Sequence, residues 1–240
     1  MNQNFKCGIK DGIPIAVGYF SVSFTFGIMA ASVGISPWIA ALISLSNVTS
    51  AGQFAGLTLI ASSASLFEMF LTQLVINLRY ALMSLSLSQK LSKRFTTPKR
   101  MLLAFANTDE IFAVAISKKE EITPAYLAGL ESLPILFWTL GTFLGAIAND
   151  LIPAMVQSAL GVALYAMFIA IVLPPARENH HIGIVCILAL AISCLLYYVP
   201  VFSFLSSGFS IILCTVLAAG IGALFFPISE KEKAPERSSS

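Results

Sequence analysis

The chain has 240 residues, 57% hydrophobic and only 11% charged, with 14 Lys and Arg against 12 Asp and Glu, a formal net charge of +2 and a mean hydropathy of +0.86. Soluble domains carry about 25% charged residues, yet here residues 12 to 67 and 179 to 229 contain no Asp, Glu, Lys or Arg at all. Such stretches cannot make a water-facing surface, which excludes a soluble enzyme, a disordered chain and a nucleic-acid binder; the small positive charge comes from short tracts between apolar runs.

A helical crossing of the bilayer needs roughly 20 apolar residues. Long apolar runs, in place of alternating ten-residue ones, predict helices and not a β-barrel. The first run, residues 13 to 33, follows Lys6 and Lys10 and ends in Met29-Ala30-Ala31-Ser32, the outline of a signal peptide with a small-residue cleavage site. Its length suffices to cross and further apolar segments follow, so it reads as an uncleaved first helix. The remaining segments are 37–62, 66–89, 101–117, 123–148, 152–173, 182–199 and 203–226. Connections are short, so residues 1–229 read as a single polytopic transmembrane domain, and the polar tail from Glu230 to Ser240 is expected to be disordered.

Two segments differ from the rest in their middles. Segment 37–62 is interrupted by Ser44 to Gln53, a run of poor helix formers whose side chains compete for backbone hydrogen bonds. Segment 101–117 carries Asn107-Thr108-Asp109-Glu110 at its centre. Broken backbone and carboxylates at membrane depth are tolerated only where protein or water surrounds them. Secondary transporters use such breaks to bind the polar parts of substrates. The plainer alternative is that the Ser/Thr/Asn run packs between helices, as Gly52-x-x-x-Gly56 would also allow.

Basic residues test the topology. If all eight segments cross, the dense cluster Lys90, Lys93, Arg94, Lys99 and Arg100 falls outside, against the positive-inside rule. If 37–62 and 101–117 both dip in and return, every basic cluster becomes cytoplasmic. The expected fold is therefore an all-α integral membrane protein with six full transmembrane helices plus two broken or re-entrant segments and both termini cytoplasmic, with eight crossings as the alternative.

Ionisable residues inside the lipid are functional candidates by default. They are Glu68, Arg79, Asp109, Glu110 and Glu131, with Asp150, His180 and His181 at interfaces. Along 66–89, Gln73, Asn77, Tyr80 and Ser84 form one polar stripe at helical spacing. Arg79 lies off that stripe, and at about 16 Å along the axis Glu68 is too far to pair with it. Its charge is met either by snorkelling to the interface or by an ion pair with Asp109, Glu110 or a substrate carboxylate. Asp109 and Glu110 point roughly 100° apart on a helix, so they would not form a paired-carboxylate site by themselves. Glu131 is expected near the inner interface, in reach of Lys118 or Lys119.

No enzyme constellation is visible: HExxH is absent, and Ser206-Ser207-Gly208 lacks the preceding glycine of an intramembrane serine nucleophile. No glycine-rich phosphate loop is present. Cys7, Cys186, Cys194 and Cys214 have no metal-binding spacing, so neither a metal nor a cofactor is expected.

The order Gly12-x-Pro14-x-x-x-Gly18, Phe26-Gly27, Ser50-Ala-Gly-Gln53-Phe54, Asn77-x-Arg79, Thr108-Asp109-Glu110 and Leu160-Gly161 with Phe168 resembles the AzlC family of branched-chain amino acid exporters and permeases. The likeness runs from about residue 8 to residue 175; Tyr80 stands where histidine is often expected, and Glu131 has no match. The resemblance implies a carrier in the bacterial cytoplasmic membrane that exports leucine, isoleucine, valine and analogues, coupled to the proton gradient and working with a small membrane subunit of the AzlD type. It places Gln53, Asn77, Arg79, Asp109 and Glu110 at the family's polar motif positions.

A zwitterionic substrate needs an anion site, a cation site and an apolar pocket. The broken stretch around Asn47, Ser50 and Gln53 is expected to present helix-end N–H groups to the carboxylate. Asp109 or Glu110 would hold the ammonium group or a proton, with Arg79 as counter-ion and Trp138 or a Phe lining the pocket. A passive channel or facilitator and a non-transporting regulatory membrane subunit remain as rivals.

Overall fold

The computed structural model describes residues 3–153, 155, 156, 159, 162, 169, 172–202 and 204–226. The segment 152–173 with Leu160, Gly161 and Phe168, and the tail 230–240, fall largely or wholly outside the described residues. The described residues are helical, with no strand among them beyond the isolated bridge between Leu91 and Ile122. Among the described residues, five helices are long and apolar enough to cross a membrane. The chain divides into two compact units, Met1–Tyr165 and Ala166–Ser240.

The first unit contains α1 (Gln3–Ser32), α2 (Pro37–Ser46), α3 (Ser50–Ala61), α4 (Leu66–Ser88), α5 (Thr97–Ala104), α6 (Asp109–Ser117) and α7 (Pro124–Ala148). Its axis is the pair α1 and α7. Gly8 lies against Tyr126 and Leu130, and Gly27 against Thr142 and Ala146, so the two helices run parallel. The approach is backbone to backbone: a Cβ at Gly27 would stand 2.1 Å from the Thr142 carbonyl oxygen, and one at Gly145 2.0 Å from that of Phe24. Small residues give two helices the van der Waals contact that holds them together where no hydrophobic effect operates.

A chain whose α1 and α7 run parallel must return to its starting end in between. α4 makes that return. Gly52 packs on Gln73 and Asn77 and Gly56 on Gln73 and Met69, so α3 runs antiparallel to α4. At the far end of α4, Lys90 donates to the Ile116 carbonyl, Lys118 pairs with Asp11 at 2.7 Å, and Asn4 donates to Thr123 at 3.2 Å. The C-terminus of α6 and the N-termini of α1 and α7 therefore share one end of the unit. The segments α2–α3 and α5–α6 are excursions that leave an end, turn in the interior and come back.

The turns fall where the sequence resists helix. Asn47, Val48 and Thr49 separate α2 from α3, with Asn47 at φ −143° and Thr49 at φ −139°, extended values. Residues 105–108 separate α5 from α6, with Thr108 at φ −76° and ψ 171° capping α6 by accepting from Ile111 N–H. Proline starts α2, α5 and α7, where a missing N–H costs nothing. The outer face of α4 is apolar: Leu66, Phe70, Leu74, Leu78, Leu82 and Leu85 are all exposed, as a lipid-facing stripe requires.

The second unit contains α8 (His180–Tyr198) and α9 (Ser207–Phe225). They pack antiparallel, with Gly222 against Val185 and the Cys214 thiol 3.3 Å from the Ala189 carbonyl. Asn179 caps α8 by accepting from His181 N–H, and the His181 ring stacks on Phe226.

Candidate functional site

The two breaks meet. One turn of α4 touches both: Thr49, at the first break, donates to Asn77 at 2.9 Å and accepts from the Tyr80 hydroxyl at 3.1 Å, while Arg79 forms an ion pair with Asp109 at 2.7 Å. The Arg79 guanidinium also lies 5.0 Å over the Tyr80 ring and donates to its hydroxyl. Of the two sequence alternatives for Arg79, the structure takes the ion pair.

Across the cleft, the Tyr19 hydroxyl of α1 shares a 2.6 Å hydrogen bond with the Thr108 hydroxyl and donates its proton to the Glu110 carboxylate. Adjacent carboxylates thus face different partners, Asp109 toward α4 and Glu110 toward α1, as a helical step of about 100° requires. Both sit in the first turn of α6, where the helix dipole favours negative charge. The start of α3 is different. Thr49 makes no side-chain cap there, because its hydroxyl is committed to Asn77 and Tyr80, so the first N–H groups of α3 beside Ser50 have no side-chain acceptor from the cap.

Tyr19, Val48, Ser50, Tyr80, Thr108, Asp109, Glu110 and Trp138 enclose this cleft, whose free space is about 10 Å³. That accommodates roughly one water. Trp138, which the sequence reading offered together with a Phe as the pocket lining, borders this cleft. It is fully buried, packs edge-on against Tyr19 at 5.1 Å and donates to the Gln53 side chain at 3.0 Å. Gln53 in turn donates to Ser44, and Ser44 shares a 2.6 Å hydrogen bond with Thr142. This wholly buried polar chain ties the first break to α7. Asn47 stands on the other side of the break, with Gln53 and Gln73, and Gln73 donates to the Gly52 carbonyl at 2.7 Å. The polar stripe of α4 therefore faces the two breaks along its whole length, ending with Ser84, which accepts from Asn107 at 3.1 Å.

The structure brings Ser50, Asp109, Glu110 and Trp138 around one cleft, pairs Arg79 with Asp109 at its margin, hydrogen-bonds Asn77 and Gln53 to residues around it, and sets Asn47 behind it. The sequence reading missed Tyr19 and included Thr49 and Thr108 only as members of the two broken runs. Tyr19 is the one phenol in α1, a signal that its apolar surroundings hid. Thr49 and Thr108 are the residues preceding each helix restart, the position where a hydroxyl is expected.

Glu131 is buried at 3% exposure, and its Oε1 has no hydrogen-bond partner. The expected approach of Lys118 is corrected: Lys118 pairs with Asp11, held there also by Tyr126, which donates to the same carboxylate at 2.8 Å. Glu131 shares a face of α7 with Trp138 and Thr142, seven and eleven residues on. Among the described residues no group of His, Cys, Asp and Glu is arranged to hold a metal ion.

Known proteins give this geometry a context. An Archaeoglobus fulgidus protein described as an uncharacterized membrane protein is 35% identical over 178 residues, covering 73% of this chain and 78% of its own. Inner membrane protein YgaZ of Escherichia coli is 30% identical over 209 residues, covering 83% of this chain and 85% of its own. A Helicobacter pylori membrane protein is 28% identical over 197 residues, covering 80% and 84%. No solved structure matches. The profile described as AzlC protein matches residues 14–152, which contain both breaks, the α4 turn that joins them and Trp138. The chain belongs to the AzlC family of membrane proteins.

Proposed function

We propose that the protein is a secondary transporter that exports branched-chain and related small hydrophobic amino acids, driven by the proton gradient. The observation that carries this reading is the meeting of two helix breaks at the Arg79–Asp109 pair, one turn of α4 contacting both. Breaks of this kind place helix ends and free backbone groups around a buried site. Asp109 and Glu110 line the cleft and the Arg79 cation pairs with Asp109 at its margin, so both charge signs that a zwitterion requires are at hand. The substrate carboxylate takes Arg79 and the uncapped N–H groups of α3; its ammonium group takes Asp109 or Glu110, one of which also carries the coupling proton. Binding then exchanges an internal ion pair for two intermolecular ones, so neither charge loses its partner. With room for about one water, the cleft as described is closed, and the Arg79–Asp109 and Tyr19–Glu110 contacts are those a substrate must displace.

In the membrane, α2–α3 and α5–α6 are re-entrant hairpins in this reading. The end of the first unit that carries Lys10, Lys90 and Lys118 faces the cytoplasm by the positive-inside rule. The membrane is the bacterial inner membrane, in keeping with the name of the Escherichia coli relative. Following the family resemblance, the chain is the large subunit of a two-component carrier whose small AzlD-type subunit is a separate protein. Vesicles containing the full chain, with and without that subunit, test the reading: a carrier gives saturable leucine counterflow that responds to a pH gradient. Flux linear in leucine concentration would mark a channel, and the absence of flux in both preparations would refute the reading.

A further inference from the structure

A second cavity lies behind the first break. It occupies about 250 Å³ and is walled by Phe26 of α1, Ile43 of α2, Leu57 and Ile60 of α3, and Met69 of α4. Its polar lining consists of the amides Asn47, Gln53 and Gln73, with no charged side chain. Phe26 and Leu57 are buried, and the Phe26 ring is fixed edge-on by Phe54 at 5.4 Å. The volume lies just below the usual range for drug-sized ligands, a size suited to one small side chain.

The two cavities are neighbours across a thin wall. Val48 and Ser50 line the charged cleft, whereas Asn47 and Gln53 line the apolar cavity. The wall is completed by the hydrogen bond from Trp138, which borders the cleft, to Gln53, which borders the cavity, and this contact must part for one ligand to occupy both. A charged cleft beside an uncharged, apolar cavity matches the two halves of an aliphatic amino acid.

We propose that this cavity is the subsite for the aliphatic side chain of the transported amino acid, and that Gly56 and Met69 set the largest side chain it accepts. This rests on the amino-acid carrier reading and adds where specificity is decided. Gly56 borders the cavity with only flexible side chains nearby: a Cβ there would stand 3.2 Å from the Gln73 amide nitrogen and 3.8 Å from the Met69 sulfur. A Cβ at Gly56 therefore meets side chains and no backbone of another helix, the Gln73 amide, bonded to the Gly52 carbonyl, giving way by a few tenths of an ångström. Truncating Met69, an adaptable side chain, enlarges the space. A charged substrate side chain would lose its hydration here and gain only neutral amides, so lysine and glutamate are rejected.

The test is counterflow of alanine, valine, leucine and phenylalanine in vesicles holding the full chain or its variants. Gly56→Val is expected to lower the leucine-to-alanine rate ratio at least tenfold, and Met69→Ala to raise the phenylalanine-to-leucine ratio by a similar factor. Gly56→Ala, a smaller step in the same direction, serves if Gly56→Val fails to insert. Variants that scale all four substrates equally, or a Met69→Ala protein with wild-type ratios, would overturn the subsite while leaving the carrier reading intact. Wild-type vesicles that move none of the four would overturn the carrier reading itself and the subsite with it.

Discussion

The first unit is built from two kinds of contact. Along α1 and α7, glycines bring backbone against backbone, so the pair has no room to slide: Gly8, Gly27, Gly129, Gly141 and Gly145 would each place a Cβ within 2.3 Å of an atom of the other helix. Around the breaks the contacts are side-chain hydrogen bonds and one ion pair between short helices, and polar atoms such as the Thr72 hydroxyl and the Asn107 carbonyl oxygen remain without partners. Close-packed interfaces resist deformation, whereas the polar groups at a helix break can exchange their contacts for those of a substrate. In the proposed carrier, α1 and α7 would form the fixed frame, and α2–α3, α4 and α5–α6 the part that opens.

The sharpest way to break this division is to attack the frame. Gly145→Val drives a side chain into the Phe24 carbonyl, and we expect no folded protein in detergent extracts; Gly18→Ala, with nothing within 4 Å of its Cβ, should be indistinguishable from wild type by thermal unfolding. Equal behaviour of the two would refute the sealed frame. Next in size is the charged pair. Arg79→Gln and Asp109→Asn should each cut leucine counterflow by about a hundredfold while the protein still folds, because each strands the opposite charge. The double variant should be more stable than the sum of the single losses predicts, by about 0.5–1 kcal/mol in a double-mutant cycle, since this pair too is partly exposed.

Trp138→Phe leaves the buried Gln53 carbonyl without its donor, an expected loss of about 1–3 kcal/mol read by thermal unfolding, with a higher leucine-independent leak as the wall between the cavities loosens. The smallest effect belongs to Lys118→Ala, about 0.5 kcal/mol, since that ion pair is partly exposed. Its pH dependence has a definite sign. The hydrogen bond to Asp11 lifts Lys118 above the ordinary lysine value of 10.5, so its contribution is present below that value and lost only as pH rises through the higher folded value. Wild-type and Lys118→Ala melting curves should converge in strong base and stay apart at neutral pH.

Both helix breaks were legible in the sequence, because Ser, Thr, Asn and Gly compete with helical hydrogen bonding wherever they cluster. So was the polar stripe of α4, since a period near 3.6 survives in a single sequence. The pairing of Arg79 with Asp109 was one alternative among several, because 30 residues separate them and only the return of the chain brings them together. The parallel α1–α7 frame could not be read at all. Its glycines are scattered at ordinary frequency, and their meaning emerges only when two distant helices are laid side by side. Tyr19 escaped for the same reason, its partners lying about 90 positions further along the chain.

The central claim is that substrate charges replace the Arg79–Asp109 pair beside Trp138. Trp138 packs against Tyr19 at the cleft, and the chain's other tryptophan, Trp38, can be removed as Trp38→Phe. In that background, leucine titrated into the purified protein should change Trp138 fluorescence saturably, and Asp109→Asn should abolish the change without altering the starting spectrum. A leucine response that persists unchanged in Asp109→Asn would contradict the claim.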